Sequence, residues 1–164
     1  MKHAGVMPGG VGTGPVPGVL VLPPVAFVAA LAAGIALEVL WPTTFIAGLA
    51  RLGAGAGLFL GGAAVLWLGL AELRRHGTDP DPRVPDSALV SSGIYRFSRN
   101  PIYVGMFAVS AGIGVWADSV WIVVLLLPVW VIIRYGVIAR EERHLQTVFG
   151  EPYRTYCSRV RRWA

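Results

Sequence analysis

Seven consecutive residues, Arg99-Asn100-Pro101-Ile102-Tyr103-Val104-Gly105, combine a fixed cation, an amide, a phenol and two chain-bending residues. They stand between a charged segment and a long apolar run. A second apolar run follows, and then Glu141-Glu142 and a tail rich in arginine and aromatic residues. Charged and turn-forming residues placed against membrane-length segments point to a polar site at the edge of a bilayer.

The elements that must position this site are apolar. Of 164 residues, 55% are hydrophobic and 14% charged, and the mean hydropathy is +0.62. Soluble domains average about 45–50% apolar and about 25% charged residues, so the chain departs toward a membrane protein. Its length suits one domain. The net charge of +5 is confined to segments flanking apolar runs. That is the bias of cytoplasmic loops, and it argues against a nucleic-acid partner. Cys157 is the only cysteine, so no intrachain disulfide can form.

Residues 1–18, rich in Gly and Pro, read as a flexible arm and not as a signal peptide. A first span is expected over Val19–Leu40, with Pro23-Pro24 in its first turns and Trp41-Pro42 at its end. Glu38 reads as a solvated residue at that end. A second span is expected over Leu52–Ala71. Gly53, Gly57 and Gly61 form a four-residue stripe on it, suited to close helix approach. A third span over Ile102–Ala117 begins behind Pro101. After the Asp118-Ser119 turn comes a fourth, over Val120–Ile138, which Pro128 is placed to kink. The short turn makes the last two an antiparallel hairpin.

Five arginines fall in the 72–100 block and six in the 139–164 tail, whereas 41–50 and 118–119 carry none. Four passes with both termini in the cytoplasm satisfy this asymmetry, except for Arg51. The expected fold is therefore an all-α integral membrane protein of about four transmembrane helices. It comprises the arm at 1–18, two helices within 19–71, and a core at 72–164 built of cytosolic loop, hairpin and C-terminal cap.

Four elements in order carry a resemblance: Leu89-Val90-Ser91-Ser92-Gly93-Ile94-Tyr95; Arg99-Asn100-Pro101-x-Tyr103-x-Gly105; Glu141-Glu142-x-x-Leu145; and Phe149-Gly150-x-x-Tyr153-x-x-Tyr156. Together they resemble the isoprenylcysteine carboxyl methyltransferase family, and the Asn-Pro-x-Tyr and Glu-Glu elements are shared with phospholipid N-methyltransferases. The resemblance implies an integral enzyme of the cytoplasmic membrane that uses S-adenosylmethionine in a cytosol-facing pocket closed by the C-terminal segment. A lipophilic small molecule or lipid would reach that pocket from the bilayer. The motif carries cofactor contacts onto Ser87, Ala88, Leu89, Val90, Tyr95, Arg99, Asn100, Pro101, Ile102, Tyr103 and Glu141. The carboxyl methyltransferases commonly have His at the position of Asn100, and the phospholipid enzymes have Asn.

Elementary chemistry supports these assignments. A sulfonium and an ammonium call for an acidic partner such as Glu141, and a carboxylate for a donor such as Arg99. Adenine calls for a wall such as Tyr95, Tyr103 or Leu89. Methyl transfer needs positioning and exclusion of water, so no enzyme nucleophile is expected. The family's substrate arginine is replaced by Val137. Arg134, one turn earlier and at i, i+7 from Glu141, is the candidate to orient the acceptor, or else a snorkelling residue. Tyr103 can also be read as an interfacial anchor, and Glu142 as a solvated charge or as a partner that holds the tail closed. No metal-ligand pattern is present. The acceptor atom stays open among carboxylate, amine, thiol and phenol, and the alternative of another class is a non-catalytic membrane module. The sequence leaves the oligomeric state open.

Overall fold

The computed structural model describes residues 22–46, 48–80 and 88–163. The 1–18 arm, Arg83 and the candidate Ser87 lie outside the described residues. Six α-helices are present, and no strand occurs among the described residues. Helix α1 spans Pro23–Leu40 and α2 spans Ala50–Arg75. A 3-10 turn over Gly93–Arg96 precedes α3, Pro101–Trp116. Helix α4, Val120–Val131, continues through a π segment, Ile132–Ile138, into α5, Ala139–Phe149. Helix α6, Glu151–Arg159, follows the break at Gly150.

Each boundary has a local cause. Pro23-Pro24 and Pro101 occupy first-turn positions, where the missing amide would have no helical partner. Helix α2 runs on past the apolar stretch because Glu72, Leu73, Arg74 and Arg75 are good helix formers. It stops where Gly77 takes φ +68 and the Thr78 amide donates to the Leu73 carbonyl, a Schellman ending. Helix α3 ends in the same way with Asp118 in the left-handed position (φ +56) and the Ser119 amide on the Gly114 carbonyl. Pro128 leaves α4 helical, and the π pattern begins four residues later.

Three helices are long and apolar enough to cross a membrane: α1, α2 and the continuous Val120–Phe149. Helix α3 is apolar but only 16 residues long, about 24 Å at about 1.5 Å per residue. The described residues thus establish three membrane-length helices where the sequence suggests four passes. The α3–α4 hairpin is formed, although α3 packs chiefly along α2.

That α2–α3 seam corrects the glycine reading. A Cβ on Gly53, Gly57 or Gly61 would meet nothing within 4 Å, so this stripe faces away from the bundle. The contact is made by a different set at seven-residue spacing. A Cβ on Gly55 would lie 2.8 Å from the Trp116 amide, one on Gly62 2.7 Å from the Val109 amide, and one on Gly105 2.7 Å from the Leu66 amide. A seven-residue repeat keeps one seam in contact when two helices cross at a shallow angle.

Helix α1 lies on α4, with Gly34 against Ile122. Phe27, Tyr103, Val129, Ile133, Val137 and Ile138 form the core. At the end of the bundle away from Glu141, Asp118 accepts hydrogen bonds from the Phe45 and Ile46 amides, both at 3.0 Å. These bonds hold its carboxyl below the usual range. Glu38 caps Thr43 there, accepting from its hydroxyl at 2.8 Å. Arg51, the exception to the charge asymmetry, donates to the exposed Trp116 carbonyl at 3.2 Å.

Candidate active site

The opposite end of the bundle holds a cavity of about 630 Å³, within the range of about 300–1,000 Å³ typical of small-molecule sites. Seven parts of the chain build it. The start of α1 and the α2 face bearing Leu66, Leu70 and Leu73 supply apolar walls. Thr78 and Asp79 with Tyr95 supply a polar rim, Ala88, Leu89 and Val90 add apolar surface, and the first turns of α3 supply Asn100, Pro101, Ile102, Tyr103 and Met106. Glu141 and Leu145 of α5 and Tyr153 and Tyr156 of α6 complete it.

Most of the sequence candidates therefore meet at one place. Ala88, Leu89, Val90, Tyr95, Asn100, Pro101, Ile102, Tyr103 and Glu141 all line the cavity. The Tyr103 hydroxyl donates to Glu141 Oε1 at 2.8 Å, which joins residues 38 positions apart. Tyr103 is thus held inside the bundle rather than at a lipid-facing anchor position.

Two candidates lie elsewhere. Arg99 stands behind the wall, with Nη1 3.3 Å from Glu142 Oε1 and 2.6 Å from Cys157 Sγ. Arg134 is not among the lining residues. Its guanidinium lies over the rings of Trp130 and Tyr135, each 5.3 Å from the centroid. Residues at i and i+7 share a face at 3.6 residues per turn, but Arg134 sits in the π segment. Its wider turns change the face that Arg134 presents relative to Glu141.

The cap is held by the segment just before α3. Arg162 forks onto Glu142, with Nε 2.9 Å from Oε1 and Nη2 on Oε2. The Glu142 bond raises the Arg162 pKa above its ordinary value. The Arg162 carbonyl accepts from Asn100 Nδ2 at 3.0 Å, and the Arg161 carbonyl from the Arg99 amide at 3.0 Å. Trp163 packs on Phe107, with centroids 6.3 Å apart. Glu142 therefore takes the tail-holding role. With its side chain only 17% exposed, removing its charge leaves Arg99 and Arg162 poorly compensated. Glu142→Gln is expected to speed tryptic cleavage after Arg161 and Arg162 while leaving cleavage after Arg51 unchanged.

Burial pushes the phenols of Tyr153 and Tyr156 above the usual value of 10.0. A raised folded pKa means that this contribution to stability is complete below pH about 10 and is lost as the pH rises through the folded values. The cap is therefore expected to loosen only above about pH 10, and tyrosinate absorbance together with α6 hydrogen exchange would read this.

Sequence reading passed over several residues that the fold brings here. Asp79 lines the rim. Tyr153 and Tyr156 also line the cavity, and their i, i+3 spacing on α6 is the signal available in the sequence. Leu66, Leu70 and Met106 carried none beyond apolarity. Lys, Arg and His do not occur among the described lining residues, whereas two carboxylates and four tyrosines do.

Compared with known proteins, residues 50–152 match a family model described as phospholipid methyltransferase, well over half of the chain. Nothing among the curated proteins or the solved structures matches.

Proposed function

The chain belongs to the phospholipid methyltransferase family, and from that premise we propose that this membrane methyltransferase uses S-adenosylmethionine to methylate a heteroatom of a lipophilic small molecule or lipid. The cytoplasmic face of the cytoplasmic membrane, with both termini on that side, is the placement that fits the charge asymmetry. The observation that carries the reading is the cavity, acidic and tyrosine-rich on one side and apolar on the other.

The donor set fits the cofactor. Glu141, fixed by Tyr103, supplies negative charge for a sulfonium or an ammonium. Tyrosine faces add attraction for a cation, and Leu89, Val90 and Ile102 offer an apolar surface for a purine. When bound, S-adenosylmethionine supplies an electrophilic methyl group. The chain's own residues hold both partners in line and keep water out. Leu66, Leu70 and Met106, with Leu22 and Pro23 at the start of α1, suit an acyl or prenyl chain.

A lipid amine is favoured over a carboxylate acceptor. The described lining residues include two carboxylates and no Lys, Arg or His to hold an anionic acceptor. The isoprenylcysteine-type reading is the second, supported by the motif order, and a thiol acceptor suits the same wall. Membranes containing the protein, incubated with methyl-labelled S-adenosylmethionine and analysed by mass spectrometry, are expected to yield a labelled organic-soluble product. Label confined to water-soluble species would overturn a lipophilic acceptor. Absence of turnover together with ligand binding would point to a non-catalytic module.

A further inference from the structure

At the inner end of α2, Glu72 is a carboxylate inside the protein, only 8% exposed, and it does not line the cavity. The Ser92 hydroxyl donates to its Oε1 at 2.6 Å. Arg75 Nη1 stands 3.4 Å from its Oε2. His76 joins the same knot, with Nδ1 2.9 Å from the Glu72 carbonyl and Nε2 3.4 Å from the Ser92 hydroxyl. Gly93 presses on the carboxylate. A Cβ there would lie 2.7 Å from Glu72 Cδ, and Gly93 takes φ +57, which disfavours any side chain.

These contacts end at the wall of the cavity. Gly93 opens the 3-10 turn that carries Tyr95, whose amide donates to the Ser92 carbonyl at 3.0 Å. On its other side the Tyr95 carbonyl accepts from the Tyr156 hydroxyl at 2.8 Å. The turn is thus gripped between α2 and the cap. A carboxylate this enclosed must have its desolvation offset, and besides Arg75 and His76 what it touches is the turn that presents Tyr95.

We propose that Glu72 is a positioning residue: through Ser92 and Gly93 it holds Tyr95 against the cavity and thereby sets the affinity of the site for its cofactor. This rests on the functional reading above. The test combines steady-state kinetics with hydrogen exchange of the ligand-free full-length protein in nanodiscs. Glu72→Ala and Ser92→Ala are each expected to raise KM for S-adenosylmethionine about tenfold, the scale of one charge-assisted hydrogen bond, with kcat nearly unchanged. Glu72→Gln, which keeps the acceptor for Ser92, is expected to restore most of the loss. Ser92→Ala added to Tyr95→Ala is expected to raise KM no further, because both act through the same ring. In the ligand-free protein, amides 91–97 are expected to exchange faster in Ser92→Ala while those of α3 keep their rates.

An unchanged KM, full additivity with Tyr95→Ala, or a fall in kcat alone would overturn the proposal. Ser92 is exposed, so its variant carries the test should Glu72→Ala fail to fold. A wild-type protein that binds neither S-adenosylmethionine nor S-adenosylhomocysteine would overturn the functional reading instead. The exchange measurement needs no ligand, so unchanged exchange in Ser92→Ala would overturn the grip by itself.

Discussion

Glu141→Gln is expected to weaken S-adenosylmethionine binding at least about tenfold, because a charge-assisted contact of a half-buried carboxylate is worth about 1.5–3 kcal/mol. Glutamine retains an oxygen to accept from the Tyr103 hydroxyl, now at 2.8 Å from Glu141 Oε1, so the variant removes the charge and keeps that bond. Tyr103→Phe makes the reverse change. It keeps the charge and removes the bond that orients it, and a loss of about tenfold is expected. Calorimetry with two ligands refines the result. S-adenosylhomocysteine lacks the sulfonium but keeps the ammonium. A loss confined to S-adenosylmethionine places Glu141 at the sulfonium, and an equal loss for both places it at the ammonium. Unaltered affinity for both would remove Glu141 from the site.

The second large effect is on stability, and it separates two neighbouring glycines. Gly62→Ala places a methyl carbon 2.7 Å from the Val109 amide and 2.9 Å from the Gly105 carbonyl. Those are backbone atoms of a packed helix and cannot swing aside. Overpacking of this kind costs about 1–3 kcal/mol or more, and here it pushes α3 and Tyr103 away from α2. Gly61→Ala meets nothing within 4 Å and removes the entropic penalty of glycine in a helix, a gain of about 0.5–1 kcal/mol. Thermal denaturation in one detergent is expected to move Gly62→Ala down and Gly61→Ala up. Equal shifts would contradict the α2–α3 seam.

The same two glycines mark what the sequence could and could not disclose. Apolar runs located the helices because burial in lipid demands long uninterrupted apolarity. They did not locate the helix end at Arg75, since polar residues with high helix propensity carry the helix beyond the bilayer. Four-residue spacing at 53, 57 and 61 was the conspicuous glycine pattern, yet the set that packs is seven apart. One chain shows which faces are smooth but not which face meets a neighbour. Charge asymmetry gathers both polar segments at one end, but it does not pair their residues: the Tyr103–Glu141 bond has no sequence signal, and Glu142 holding the tail is one of two readings its position allows. Arg134 eluded the i, i+7 rule because a π segment leaves no mark in composition. Glu72 carries no local signal of its role, because its partner Ser92 lies 20 residues away.

The length of α3 bears on how a lipid could meet this enzyme. Its 16 residues reach about 24 Å, against a hydrocarbon thickness of about 30 Å. Hydrophobic mismatch of this size thins the surrounding leaflet or draws polar groups inward. Under the proposed placement, with α3 crossing the bilayer, the cavity at its start would lie below the general plane of the headgroups. A lipid diffusing up to the protein would bring its headgroup down to the methyl donor by sinking with the deformed bilayer, and its tails would never have to leave the oil.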